Sequence, residues 1–148
     1  MLVLIVEDHK DTREMYAMYL ASRRALVETA SNGMQAIAKA TLVAPDAIVM
    51  DLGLPSLDGW EATRRLRASL HTSNVPIVVL SAHADAASQR QAMEAGATMF
   101  LTKPCAPGAL WEALLIACKR RYRPGATGRS GAPKGVPRGL RRTPSRRA

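Results

Sequence analysis

Ala47-Ile48-Val49-Met50-Asp51-Leu52-Gly53-Leu54-Pro55 is an apolar run that ends in a carboxylate and passes into a loop containing Gly and Pro. Residues 47–50 are apolar without alternation, which is typical of a strand covered on both faces in a parallel sheet. Gly and Pro punctuate the chain directly afterwards. The segment therefore predicts a buried parallel strand that carries Asp51 at its carboxyl end.

Four further short apolar runs lie on either side of this strand, and each is followed by a segment of helical length. The predicted strands are Leu2–Val6, Leu26–Ala30, Ala47–Asp51, Ile77–Ser81 and Thr98–Thr102. The predicted helices run over about Thr12–Ser22, from about Gly33, over Asp58–Ala68, over Ala86–Ala95 and over Pro107–Arg121. This alternation predicts an α/β fold, (βα)5, with a doubly wound five-stranded parallel sheet.

Two of the predicted helices carry recognisable end signals. Asp11 is the expected N-cap of the first helix, with Glu14 three residues later in a capping-box arrangement. Gly96 is the expected C-cap of the fourth helix, because Gly adopts the left-handed conformation of that position at low cost.

Composition and charge separate a globular part from a basic tail. The chain has 148 residues, of which 47% are hydrophobic and 22% charged, as in an ordinary soluble domain. Its formal net charge is +9, yet residues 1–118 hold all 12 acids, whereas residues 119–148 hold 11 of the 21 bases. We expect one domain over residues 1–122 and a disordered Arg-, Gly- and Pro-rich tail over 123–148, which lacks the apolar surface to fold.

The sequence also predicts where in the cell the protein is located. No apolar run approaches the roughly 20 residues that span a bilayer. The opening apolar run meets Glu7 and Asp8 at once and lacks the basic flank of a signal peptide, so we expect a cytoplasmic protein without membrane contact. Cys105 and Cys118 have no disulfide or metal-site spacing and are interpreted as packing residues.

Polar side chains collect where the predicted strands end, which is the edge where ligands bind in open α/β sheets. These side chains are Glu7, Asp8, Asp51, Ser81 and Lys103. Three carboxylates in one pocket repel one another unless a cation neutralises them, and Mg²⁺ binds carboxylates together with phosphate oxygens. A carboxylate beside such an ion can accept a phosphoryl group, with the ammonium and hydroxyl groups contacting the phosphoryl oxygens.

With these residues in place, the sequence resembles the receiver domain of bacterial two-component response regulators, a flavodoxin-like fold of the chemotaxis-regulator type. The resemblance covers about residues 1–120. It rests on Leu-Ile-Val-Glu-Asp at 4–8, Asp-Leu-Gly-Leu-Pro-Ser-Leu-Asp-Gly at 51–59, Val-Val-Leu-Ser-Ala at 78–82 and Gly-Ala-Thr-Met-Phe-Leu-Thr-Lys-Pro at 96–104.

The resemblance implies roles for individual residues. Asp51 would be the phosphoacceptor, and Mg²⁺ would be held by Glu7, Asp8, Asp51 and the backbone carbonyl of Gly53. Ser81 would be the switch hydroxyl and Lys103 the cation that pairs with the phosphoryl group.

Three further positions follow from the resemblance. Phe100 falls at the switch aromatic, although an ordinary core role in the fifth strand stays open. Gly53 and His83 occupy positions that vary in the family and flank the path of an attacking water, so both are expected to tune the phosphoryl lifetime. The resemblance also suggests a cis peptide bond before Pro104, which the sequence leaves open.

The implied partners are a sensor histidine kinase or phosphotransfer protein and a downstream protein that binds helix four, strand five and helix five, roughly residues 84–119. A relay intermediate and a phosphorylation-dependent homodimer stay open. Because the basic tail is too short for an output domain, we expect a stand-alone receiver. The tail itself is expected either to bind nucleic acid or acidic surfaces without specificity or to be a solvated extension.

Three alternatives are disfavoured. A haloacid-dehalogenase-like phosphatase requires a second Asp two residues after its nucleophile, where this chain has Gly53. A flavodoxin needs an anion-accepting loop after the first strand, and the loop that begins at Glu7 is acidic. A receiver that cannot be phosphorylated is disfavoured by the complete set of acidic, hydroxyl and ammonium groups.

Overall fold

The computed structural model describes residues 1–120; the tail predicted over 123–148, and the end of the predicted domain at Tyr122, lie outside the described residues. Five strands alternate with five helices: β1 (Leu2–Val6), α1 (Lys10–Ser22), β2 (Leu26–Ala30), α2 (Gly33–Val43), β3 (Ala47–Asp51), α3 (Gly59–Ala68), β4 (Ile77–Ser81), α4 (Ala86–Ala95), β5 (Met99–Thr102) and α5 (Pro107–Arg120). The strands form one parallel sheet in the order β2-β1-β3-β4-β5. The predicted doubly wound (βα)5 fold is confirmed.

Helices cover both faces of the sheet, which explains why its central strands are apolar throughout. Every residue of β3 and β4 is buried. Alternate residues of a strand point to opposite faces, so Leu4 and Val6 pack in the core beneath α2, α3 and α4. Val3 and Ile5 pack in the second core, beneath α1 and α5.

The strand order reverses at β1, and this reversal positions the candidate site. The chain places β2 on one side of β1 and then β3 on the other. In the register of the sheet, Val6 at the end of β1 pairs with Met50 of β3. Glu7 and Asp51, the next residue of each strand, therefore reach the same point of the carboxyl edge, in the crevice where such sheets bind ligands.

The start of α1 differs from the prediction. The helix begins at Lys10, and its N-cap is His9, which makes no side-chain capping hydrogen bond. The predicted capping box of Asp11 and Glu14 is wrong, because Asp11 lies inside the first turn. The His9 N–H instead donates to Glu7 Oε1 at 3.2 Å, so the carboxylate after β1 fixes where the helix starts.

The other helix ends follow ordinary capping chemistry. The side chains of Asn32, Asp58 and Asp85 accept hydrogen bonds from backbone N–H groups in the first turns of α2, α3 and α4. Asp58 is thus the cap of α3 and not its first residue. Gly96 closes α4 with φ of 113°, as predicted.

Cys105 and Cys118 form no disulfide with each other and are half-buried against the core beneath α1 and α5, in agreement with a packing role. Burial raises the pKa of the Cys105 thiol, which keeps it protonated at neutral pH.

Trp111 packs against the core beneath α1 and α5. Within residues 1–120, no helix is long and apolar enough to cross a membrane.

Gly59, the first residue of α3, lies directly against the end of β3. A Cβ at this position would lie 2.3 Å from the Asp51 carbonyl oxygen and 2.7 Å from Leu52 Cα. We expect Gly59→Ala to lower the free energy of unfolding by roughly 1–3 kcal/mol, measured by urea denaturation, because backbone must move to admit the methyl group. Gly53→Ala is the control, since its Cβ would meet only Asp51 Oδ1 at 3.7 Å. Equal stability of the two variants would contradict the close approach.

Candidate functional site

Three carboxylates meet at the carboxyl edge of β1 and β3. One ligand oxygen from each of Glu7, Asp8 and Asp51 lies within 4.8 Å of the others. Glu7 and Asp51 are 1% and 5% exposed, whereas Asp8 is exposed. The site therefore combines two carboxylates that have lost most of their solvent with one that faces water.

Lys103 reaches the two buried carboxylates, Glu7 and Asp51, from the end of the edge strand β5. It follows β5, and its Nζ lies 3.0 Å from Glu7 Oε2 and 3.1 Å from Asp51 Oδ2. Its backbone N–H donates to the Ser81 carbonyl at 2.8 Å, and the Lys103-Pro104 peptide bond is cis. The side chain reaches past the ends of β4 and β3 to β1, which needs the length of a lysine.

Burial and neighbouring charges shift the pKa values of Glu7 and Lys103. Burial raises the pKa of Glu7, and the adjacent Asp51 charge adds to the increase, while the Lys103 ammonium acts against both. Burial alone would lower the pKa of Lys103, but its contacts with Glu7 and Asp51 raise it overall. Lys103 is therefore charged at neutral pH, and the site as a whole attracts further positive charge.

The donor set fits Mg²⁺. The carboxylates of Glu7, Asp8 and Asp51 are hard oxygen ligands, which Mg²⁺ prefers over nitrogen and sulfur. Within residues 1–120, Glu7 Oε1 accepts from the His9 N–H, and Asp51 Oδ1 accepts from the Gly53 N–H at 3.0 Å. A carboxylate oxygen that accepts a single N–H keeps a lone pair for a cation, so the hydrogen bonds orient the ligands without using them up.

A cleft of about 320 Å³ opens above these groups. Its lining residues come from the carboxyl ends of β1, β3, β4 and β5 and the segments that follow them: Asp8, His9, Asp51, Leu52, Gly53, Trp60, Ser81, Ala82, His83 and Lys103. Ser81 is 2% exposed, and its Oγ accepts a hydrogen bond from the His83 N–H at 3.0 Å. The hydroxyl is thus coupled to the loop between β4 and α4.

Seven of the eight residues predicted for the site lie at this edge, and Phe100 does not line the cleft. Phe100 lies in β5 opposite Val79 and packs, partly buried, against the core beneath α2, α3 and α4. The structure adds four lining residues that the sequence analysis did not name for the site: His9, Leu52, Trp60 and Ala82. The signal for Trp60 was its position directly after Asp58-Gly59, where the loop beyond Asp51 becomes a helix.

Comparison with known proteins identifies related chains. A family model described as response regulator receiver domain matches residues 3–115. The transcriptional regulatory protein ResD of Bacillus subtilis is 35% identical over 105 residues, which cover 71% of this chain and 42% of ResD. KdpE of Escherichia coli is 37% identical over 118 residues, or 80% of this chain and 51% of KdpE. The chain spans about half the length of these curated relatives.

Two solved structures share the fold closely. The chemotaxis protein CheY4 of Vibrio cholerae is 30% identical with a TM-score of 0.75, covering 78% of this chain and 97% of that chain. The receiver domain of the sensor histidine kinase PA1611 of Pseudomonas aeruginosa is 33% identical with a TM-score of 0.74, covering 80% and 97%. The latter structure is described with a magnesium ion coordinated in its active-site cleft.

The two tryptophans lie on opposite sides of the sheet and provide a test for the metal. Trp60 lines the cleft, and Trp111 packs beneath α1 and α5. We expect Mg²⁺ to change the fluorescence of Trp111→Phe, which retains Trp60, and to leave that of Trp60→Phe nearly unchanged. A titration with MgCl₂ measures both. An equal response of the two variants would place the ion elsewhere.

Proposed function

Because the chain belongs to the response regulator receiver domain family, we propose that it is a phosphorylation switch in which Asp51 accepts a phosphoryl group from a histidine kinase or phosphotransfer protein. Receiver domains bind Mg²⁺ at an acidic site and are signalling proteins rather than metabolic enzymes. The observation that carries the proposal is the Lys103 ammonium between the buried carboxylates of Asp51 and Glu7, next to Asp8. In this proposal Asp51 serves as the nucleophile, the carboxylates hold the metal ion, and Lys103 is the phosphate-pairing cation of the same site.

The chemistry assigned to Asp51 is nucleophilic attack on phosphorus. A carboxylate oxygen forms the new O–P bond while the N–P bond of a phosphohistidine donor breaks. We assign Glu7, Asp8, Asp51 and the Gly53 carbonyl to Mg²⁺, which when bound neutralises charge on the transferring group. Lys103 is already within 3.1 Å of Asp51 Oδ2, so its ammonium can pair with a phosphoryl oxygen without crossing the cleft.

Ser81 links phosphorylation to the neighbouring helix. Its hydroxyl would donate to the phosphoryl group, while its Oγ accepts from the His83 N–H. A movement of Ser81 toward Asp51 would therefore also move the loop that leads to Asp85, the N-cap of α4. The proposed switch runs from the phosphoryl group through this loop into α4.

The face formed by α4, β5 and α5 is the proposed output surface. It carries the exposed apolar side chains of Met93, Leu115 and Ile116, which are 43%, 40% and 42% exposed. Phe100 packs in the core behind α4. We propose that its packing changes when α4 moves. A downstream protein or a second phosphorylated copy would bind this face.

Gly53 and His83 are proposed to set the phosphoryl lifetime. Both line the cleft. A Cβ at Gly53 would be in van der Waals contact with Asp51 Oδ1, at 3.7 Å, so the missing side chain leaves room for water next to the nucleophile. His83 lines the same cleft, and its N–H donates to Ser81 Oγ.

The phosphoacceptor is tested by the intact mass of the protein after incubation with acetyl phosphate. We expect one phosphoryl adduct with Mg²⁺, none with EDTA, and none in Asp51→Asn, because the amide lacks the nucleophilic oxygen. Asp11→Asn, which removes an exposed carboxylate at the start of α1, is the matched control and retains the adduct. An adduct in Asp51→Asn would assign the nucleophile to another residue.

The coupling through Ser81 is tested by hydrogen exchange of residues 82–95 before and after phosphorylation. In the wild type we expect exchange in this segment to change on phosphorylation, because the hydroxyl moves with the loop. Ser81→Ala is expected to accept the phosphoryl group but to show less than about half of that change. Ser73→Ala, at a partly buried serine between α3 and β4 that does not line the cleft, controls for loss of a hydroxyl. A full response in Ser81→Ala would remove Ser81 from the pathway.

A further inference from the structure

The segment that links β5 to α5 carries Lys103 and has few backbone hydrogen bonds of its own. We call residues 103–106 the β5–α5 linker. Its first residue, Lys103, donates its N–H to the Ser81 carbonyl at 2.8 Å, and its last residue accepts a hydrogen bond from α5. Between these ends, Pro104 has no N–H to donate. The middle of the linker therefore depends on contacts from side chains.

Tyr16 of α1 supplies such a contact. Its hydroxyl donates to the Cys105 carbonyl at 2.8 Å, from a position 89 residues earlier in the sequence. Tyr16 is 3% exposed and packs in the core beneath α1 and α5. Burial raises the pKa of the Tyr16 hydroxyl, so the group stays protonated at neutral pH and acts as a donor. The hydrogen bond therefore ties α1 to the residue two positions after Lys103.

Core packing alone does not account for the Tyr16 hydroxyl. The aromatic ring fills its place in the core, as an apolar side chain would, but the hydroxyl adds a polar atom whose burial is costly without a partner. Its partner is a backbone carbonyl of the β5–α5 linker. The hydroxyl thus provides a directional contact with the linker in addition to the apolar burial of the ring.

The Lys103 ammonium makes two contacts that require its backbone to be placed accurately. Its Nζ lies 3.0 Å from Glu7 Oε2 and 3.1 Å from Asp51 Oδ2, at the ends of two other strands. A lysine side chain is a flexible four-carbon stem, so it does not by itself fix where the ammonium lies. The backbone does so, and it is held at the sheet by the Lys103 N–H and at α1 by the Tyr16 hydroxyl.

We propose that Tyr16 is a positioning residue for phosphorylation: its hydroxyl holds the β5–α5 linker so that the Lys103 ammonium stays within reach of Asp51. The inference rests on the proposed function, in which Lys103 pairs with a phosphoryl oxygen. Tyr16 is not among the residues that line the Asp51 cleft, so it acts through Lys103 and contacts no reacting atom. A displaced ammonium would stabilise the transferring group less well, because electrostatic stabilisation depends on groups that are already in place.

The test compares rates of phosphoryl adduct formation with acetyl phosphate and Mg²⁺, followed by the intact mass of the full chain. Tyr16→Phe retains the ring and loses the hydroxyl, and we expect it to slow adduct formation roughly threefold to tenfold, the range of one ordinary hydrogen bond. In a Lys103→Met background, we expect Tyr16→Phe to slow the reaction less than about 1.5-fold further, because Tyr16 acts through Lys103. Tyr19→Phe is the matched control and retains the wild-type rate, since Tyr19 packs against the same core while its hydroxyl accepts from Arg23.

Hydrogen exchange provides a second measurement that needs no change at Lys103. We expect residues 103–110 to exchange faster in Tyr16→Phe than in the wild type, because the linker loses its contact with α1, while exchange in β3 is unchanged. Circular dichroism verifies that each variant folds.

The outcomes separate this inference from the proposed function. Equal slowing by Tyr16→Phe with and without the Lys103 ammonium, equal slowing by Tyr19→Phe, or unchanged exchange in residues 103–110 would each show that Tyr16 only packs in the core. A wild-type rate of adduct formation in Tyr16→Phe would overturn the inference alone. No adduct in the wild type would overturn the proposed function and this inference with it.

Discussion

The contact between Lys103 and the two buried carboxylates is the constraint on which the rest of the molecule depends. Glu7 and Asp51 are nearly excluded from solvent and lie at the ends of adjacent strands, so without a cation their charges would repel in a medium that screens poorly. A buried ion pair contributes little net stability, since desolvation opposes the attraction. The ion pair matters here for chemistry rather than for stability. The negative charges of Glu7 and Asp51 can also be neutralised by a metal ion, and the contacts of the Lys103 ammonium can change when the proposed phosphoryl group is transferred.

The core packing explains why such a redistribution would move α4 rather than α5. The buried residues of α4 are Ala92 and Ala95, whereas α5 buries the larger Leu110 and Leu114. The free energy of apolar burial scales with the area removed from water, so displacing α4 costs much less than displacing α5. The helix that follows the Ser81 loop is therefore held more weakly by the core than α5 is, which suits a two-state element.

Most of the fold and much of the site could be predicted because both depend on short-range patterns. Strands covered on both faces appear as continuous apolar runs, and parallel topology brings their ends together, so Asp51 and Lys103 could be placed before their contact was known. The start of α1 could not be predicted from capping signals, because the His9 N–H donates to Glu7 Oε1 and the Glu7 carboxylate is held from far along the chain by Lys103. Trp60 was missed for a similar reason, since whether it faces the core or the cleft depends on how α3 packs against β3.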